Sequence, residues 1–117
     1  MKKTVTLYRP TGPEELKLVA GSGYKTWPPR LPGQPIFYPI TNEDYAVKIA
    51  RDWNVKDSGR GFVTKFEVGE NFMAQFPIQT VGSSIHTEWW IPAEHLEELN
   101  AHIIGKIEVI HEFGPTG

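Results

Sequence analysis

The residues of this chain best suited to chemistry lie between Ser84 and Pro92, in the stretch S-I-H-T-E-W-W-I-P. Alternation along an extended strand puts His86, Glu88 and Trp90 on one side, and Thr87, Trp89 and Ile91 on the other. A carboxylate in the middle of an aromatic strand is costly to bury unless it is paired or hydrogen-bonded. Glu88 therefore reads either as part of a pocket wall or as one half of a structural ion pair. An imidazole two residues before it and an indole two residues after it, on the same side, are the neighbours a pocket would need. Trp89 and Ile91 demand burial on the opposite side, so a strand covered on both faces is expected to shield Glu88.

Two further residues carry chemical weight. Arg9 stands at the end of a first predicted strand beside Tyr8, and Tyr38 stands at the end of a second. The plain reading makes Arg9 a strand-end surface residue, Tyr38 a core ring with its hydroxyl outward, and Glu88 the partner of Arg9 or Lys65. The functional reading gathers Arg9, Tyr38 and Glu88 into one cleft where the central strands meet.

Other chemistries find little support. Gly21-Ser22-Gly23 follows a helix, whereas a dinucleotide or phosphate cradle follows a strand. The four histidines, His86, His95, His102 and His111, lack metal-ligand spacing. His95 and His102 could share a helix face but have no third ligand, so no metal site is expected. Ser83 and Ser84 lie too close to His86 in one strand to form a nucleophile and base. The chain has no cysteine, which removes thiolate chemistry and a disulfide framework and fits a cytoplasmic protein.

A chain of 117 residues supports one modest core, and a single domain over 1–113 with a flexible tail over 114–117 is expected. The composition, 39% hydrophobic and 22% charged, is ordinary for a globular protein. A net charge of −2 without a basic stripe argues against an extensive nucleic-acid surface. No apolar run suits a signal peptide or a membrane span.

The elements that must position these residues follow from the pattern. A strand is expected from Thr4 to Arg9, ended by Pro10. Thr11 to Glu14 has capping-box spacing for a helix from Pro13 to about Ala20. The proline-rich stretch Tyr24 to Pro35 reads as a pinned surface loop around Trp27 and Arg30, a ligand rim or a partner contact. A short strand Ile36–Tyr38 precedes a helix capped by Thr41 or Asn42, with Tyr45, Ala46, Ile49, Ala50 and Trp53 as its inner stripe. A turn over Asn54–Gly61, a strand Phe62–Val68, an ambiguous turn to Phe76, and a short strand from Pro77 to Val81 come next. The Glu88 strand then leads through Pro92 into a helix with Leu96, Leu99 and Ile103 inward. Gly105 is expected to end it, and Lys106–Phe113 is the last strand. Such an order suits a curved or split mixed sheet with helices at its sides.

Several segments resemble a family of small bacterial proteins known as "ADP-ribosylation/crystallin J1". They are L-Y-R-P at 7–10, P-P-R-L-P at 28–32, Q-P-I-F-Y-P-I at 34–40, E-D-Y-A-V-K-I-A-R-D-W at 43–53, G-F-V-T-K-F-E-V at 61–68, E-W-W-I-P-A-E at 88–94 and I-I-G-K-I-E-V-I at 103–110. The resemblance spans nearly the whole chain, and the order of its residues is similar to that of ADP-ribosyltransferases. It implies an α+β fold of the compact ADP-ribosyltransferase type, with a split, mainly antiparallel sheet and about three short helices around an NAD cleft. It also implies an ADP-ribosyltransferase or NAD glycohydrolase that cleaves the nicotinamide–ribose bond of NAD, its acceptor left open with a protein as one candidate, or a catalytically inactive nucleotide- or protein-binding module.

Carried over residue by residue, the resemblance makes Arg9 a contact to the cofactor's phosphate or ribose, with Tyr8 beside it. It makes Tyr38 the stacking partner of nicotinamide, with Tyr45 as its rival. It makes Glu88 the group that binds the ribose 2′-hydroxyl and stabilises the oxocarbenium-like centre, flanked by His86 and Trp90. No serine–threonine–serine run follows Tyr38, and His86-Thr87 precede Glu88 where arginine-modifying members place a second acid.

Overall fold

The centre of the molecule is a three-stranded antiparallel sheet in the order β1–β3–β7, formed by β1 (Thr4–Thr11), β3 (Gly61–Gly69) and β7 (Ile103–Phe113). This is seen in a computed structural model that describes residues 3–30, 33–80 and 87–114. Between β1 and β3 lie the helix α1 (Pro13–Gly21), the short strand β2 (Ile36–Phe37), the helix α2 (Glu43–Ile49), a π-helical turn (Ala50–Asn54) and α3 (Val55–Ser58). After β3 come the one-turn α4 (Glu70–Met73), β4 (Ile78–Thr80), β5 (Thr87–Trp89) and β6 (Ile91–Pro92). A 3₁₀ turn (Ala93–His95) then leads into α5 (Leu96–Ala101) and β7.

The short strands pair as β2 with β6 and β4 with β5, both antiparallel. Ile40 joins the two regions. It bridges Tyr8 of β1 on one side and Glu88 of β5 on the other. Tyr8 N donates to the Ile40 carbonyl at 2.9 Å, and Ile40 N donates back at 2.6 Å. The result is a mixed α+β domain in which Tyr8, Ile40 and Glu88 stand in lateral register.

Alternation gives the central sheet two unlike faces. One carries Leu7, Phe66, Val68 and Ile107 into a large core with Val19 of α1, Phe72 and Met73 of α4, and Leu96 and Leu99 of α5. Phe37, Trp89 and Ile91 of the short strands join that core. The other face is partly covered by α2 through Ile40, Ala46, Ala50 and Val63, with Tyr8 and Tyr45 packed against them.

The structure departs from the pattern reading at identifiable points. β1 continues through Pro10 to Thr11. Tyr8 N points toward Ile40, so the amide that Pro10 lacks would point to the same side, beyond the bridge. No ladder bond is lost. Thr11 does not cap α1; the cap position is Gly12, without a side-chain cap bond. Within the proline-rich loop Trp27 is buried, to 1% exposure, where the ring meets Phe37 and Phe66. Asn100 fixes that loop, accepting from Trp27 N at 2.8 Å and donating to its carbonyl at 3.0 Å. Gly105 lies within β7 rather than at a helix end.

The inner stripe of the second helix fails at one residue. Asn42 caps it, accepting from Tyr45 N at 2.8 Å, and Ala46 and Ala50 are buried. Trp53, however, is 71% exposed. A π turn adds one residue to the helical repeat, so Asn54 takes the inner position that period 3.6 assigns to Trp53. Gly61 accepts this close approach: a Cβ there would run into the Ala50 carbonyl and stand 3.0 Å from the Asn54 Cβ.

Candidate functional site

β5 is only three residues long, and its neighbours decide what Glu88 does. Thr41 N donates to the Thr87 carbonyl at 3.2 Å and Trp89 N to the Pro39 carbonyl at 2.8 Å, so the segment 39–41 holds β5 from one side. β4 holds it from the other, with Gln79 opposite Glu88. Trp89 turns into the core and Glu88 turns the opposite way, half-buried.

On that side Glu88 is held by neutral donors. The Trp90 Nε1–H donates to Glu88 Oε1 at 2.9 Å. The Tyr45 hydroxyl, from the first turn of α2, also hydrogen-bonds the carboxylate. Burial, then the Glu88 charge and this hydrogen bond, push the Tyr45 hydroxyl above the usual tyrosine value. Tyr38 stands edge-on to Trp90, with ring centroids 6.0 Å apart and planes at 87°. Both of those rings are exposed. Tyr8 lies across Ile40 and packs on the same layer as Tyr45. The arrangement is a carboxylate set among three tyrosines and a tryptophan, open to solvent on one side. A carboxylate has about four acceptor positions; two donors leave acceptor capacity for a ligand hydroxyl.

Arg9 is not part of this cluster. Being next to Tyr8 in a strand, it points to the opposite face. There it forms a two-pronged pair with Glu15, Nε to Oε2 at 2.7 Å and Nη2 to Oε1 at 2.8 Å. The Thr11 hydroxyl adds a third bond to Glu15 Oε2 at 2.8 Å. The Arg9 guanidinium lies over Phe37, 4.5 Å from its centroid, and 5.6 Å from the centroid of Trp27. Arg30 approaches the same Glu15 at 3.6 Å. Burial raises the Glu15 carboxyl, but the Arg9 charge, hydrogen bonds from Arg9 and Thr11, and the Arg30 charge outweigh it and leave it below its usual value.

Of the residues singled out by sequence, the structure therefore brings together Glu88, Trp90, Tyr38, Tyr45 and Tyr8. It leaves Arg9 with Glu15 on the other face, so neither Arg9 nor Lys65 is the partner of Glu88. His86 lies outside the described residues. Glu15 and Arg30 were not visible as partners of Arg9. The only sequence signal for Glu15 is its place in the first turn of a helix that follows β1 directly.

Among the described residues no group of histidine, aspartate and glutamate could hold a metal ion, and no helix is long and apolar enough to cross a membrane. His95 faces Glu98 at 3.2 Å, and His102 stacks on Phe72 with centroids 4.4 Å apart. No protein-family model, curated protein or solved structure matches the chain.

Proposed function

We propose that the Glu88 cluster binds NAD and cleaves its nicotinamide–ribose bond, on an ADP-ribosyltransferase-like domain. The observation that carries this reading is the Glu88 carboxylate, held by Trp90 Nε1 at 2.9 Å and by the Tyr45 hydroxyl beside the exposed rings of Tyr38 and Trp90. Flat rings suit a nicotinamide, which stacks on aromatic faces. Glu88 accepts a hydrogen bond from the ribose 2′-hydroxyl and stabilises positive charge as it develops at C1′. The C1′–N bond breaks with its electron pair going to the ring nitrogen, so nicotinamide leaves neutral. Water or a protein nucleophile then forms the new bond at C1′ and loses its proton. Tyr45 and Trp90 are positioning residues for Glu88. Arg9 has no part in this step, because its guanidinium is committed to Glu15. A cytoplasmic location, where NAD is present and disulfides are not needed, belongs with the reading.

The test is release of nicotinamide from NAD by the purified chain. Glu88→Gln keeps the shape and removes the charge, and is expected to lower the rate by about 10²-fold or more. No release above a protein-free blank would sink the enzyme.

A second reading is a binding module without turnover. It is favoured by the placement of Arg9, which leaves the Glu88 cluster without that cation for a pyrophosphate. Calorimetry with NAD separates the two: heat of binding without nicotinamide release supports the module.

A further inference from the structure

The two arginines on the other face of the sheet share the Glu15 carboxylate. Glu15 accepts two hydrogen bonds from Arg9 and one from Thr11, which occupies most of its acceptor capacity. Arg30 stands 3.6 Å from it through Nη1, beyond hydrogen-bond range. Its Nε is buried and has no hydrogen-bond partner among the described residues. Both arginine side chains are only 12% exposed. One carboxylate thus serves two largely buried guanidinium groups, and the second keeps one buried N–H, its Nε, without a hydrogen-bond partner among the described residues.

The Arg30 side chain borders an open space. A cleft of about 430 Å³ is lined by Arg9, Arg30, Glu15, Gln34, Asn54 and Pro29, among others. Glu14 and Asp57 also line it, and the charges acting on Arg30 are those of Arg9, Glu15 and Tyr38. Phe37 supports the Arg30 guanidinium from behind, 5.8 Å from its centroid, and Pro28 and Pro29 stiffen the chain that carries it. A pre-positioned guanidinium is a strong ligand for planar or tetrahedral oxyanions.

We propose that this cleft binds the oxyanion of a small ligand, a phosphate or a carboxylate group, with Arg30 as its main contact. The cleft is not lined by Glu88, and its proposed role does not depend on NAD cleavage. Its chemistry is recognition only.

The test follows thermal unfolding of the whole chain in inorganic phosphate, acetate or chloride at equal ionic strength. Saturable stabilisation by phosphate or by acetate beyond chloride is expected, and whichever ion acts identifies the class of oxyanion. Arg30→Gln should weaken the effect about tenfold to a hundredfold, the span of one or two hydrogen bonds to a charged group. Arg30→Lys keeps the charge but loses the fork, and should bind with intermediate strength. That variant carries the test if Arg30→Gln does not fold. No saturable effect of either anion, or an undiminished effect in both variants, overturns the site.

Discussion

The two faces of the sheet hold the same ingredients in opposite arrangements. On one, the Glu15 carboxylate is matched by Arg9 and Arg30, whose guanidinium groups lie over aromatic rings. On the other, the Glu88 carboxylate sits among aromatic rings and is matched by an indole N–H and a phenol hydroxyl. Full charge matching fixes a carboxylate, because a cation in a partly buried pair satisfies it better than a passing ligand can. Neutral donors orient a carboxylate and leave its charge uncompensated. The first arrangement builds structure at Glu15, and the second keeps charge available at Glu88.

The largest effect expected from breaking this contrast is on stability. Glu15→Ala leaves Arg9 and Arg30 facing one another without a shared anion. Removing one partner of such a pair costs about 3–5 kcal/mol, which urea denaturation would measure. A loss below about 1 kcal/mol would place Glu15 with ordinary surface pairs. Glu88→Gln should do the reverse. It should change stability by less than about 1 kcal/mol while lowering nicotinamide release by about 10²-fold. Equal losses in both variants would erase the distinction between the faces.

Acidification sharpens the same comparison. The folded chain holds the Glu15 carboxyl below its usual value of 4.5, so folding is favoured by its ionisation. That contribution is complete above about 4.5 and is lost as pH falls through the lower folded value. Stability measured against pH should therefore decline in that acidic window, and Glu15→Gln should remove this part of the slope. The smallest effect concerns Tyr45. Its hydroxyl is raised by burial and by Glu88, so Glu88→Gln should bring its absorbance titration back toward 10.0 without fully restoring it. An unchanged titration would mean that Glu88 does not reach Tyr45 in solution.

What the sequence disclosed depends on how local the cause was. β3, with its clean alternation from Phe62 to Val68, was legible because period 2 is written in adjacent residues. So were the Asn42 cap and the burial of Trp89 and Ile91 opposite Glu88. The neighbourhood of Glu88 with Trp90 was legible for the same reason. The pairing of Arg9 with Glu15 was not, since it depends on how sharply the chain turns at Gly12 and Pro13 into α1. The burial of Trp27 was left open because a run of prolines excludes regular structure without deciding burial. Its ring fills the space between β3 and β2, and only the assembled sheet creates that space. Trp53 misled through one inserted residue in a helical turn. Gly61 was the trace of that insertion, and its meaning emerges only beside the Ala50 carbonyl.

The Ile40 bridge has a consequence for how the molecule opens. Pro39 next to it has no amide hydrogen, and the recorded backbone bonds between β1 and the segment 36–40 are the reciprocal pair joining Tyr8 and Ile40. Among the described residues this pair is the backbone link between β1 and that segment, while Phe37, Trp89 and Ile91 share the apolar core with Leu7 and Phe66. A two-bond seam of this kind opens locally more readily than a continuous ladder does. Amide protons of Tyr8 and Ile40 would then trade with solvent together, at a pace set by the seam and faster than those of β3. Tyr8 and Glu88 lie on its two edges, so the spacing between them is governed by one residue that carries no chemistry of its own.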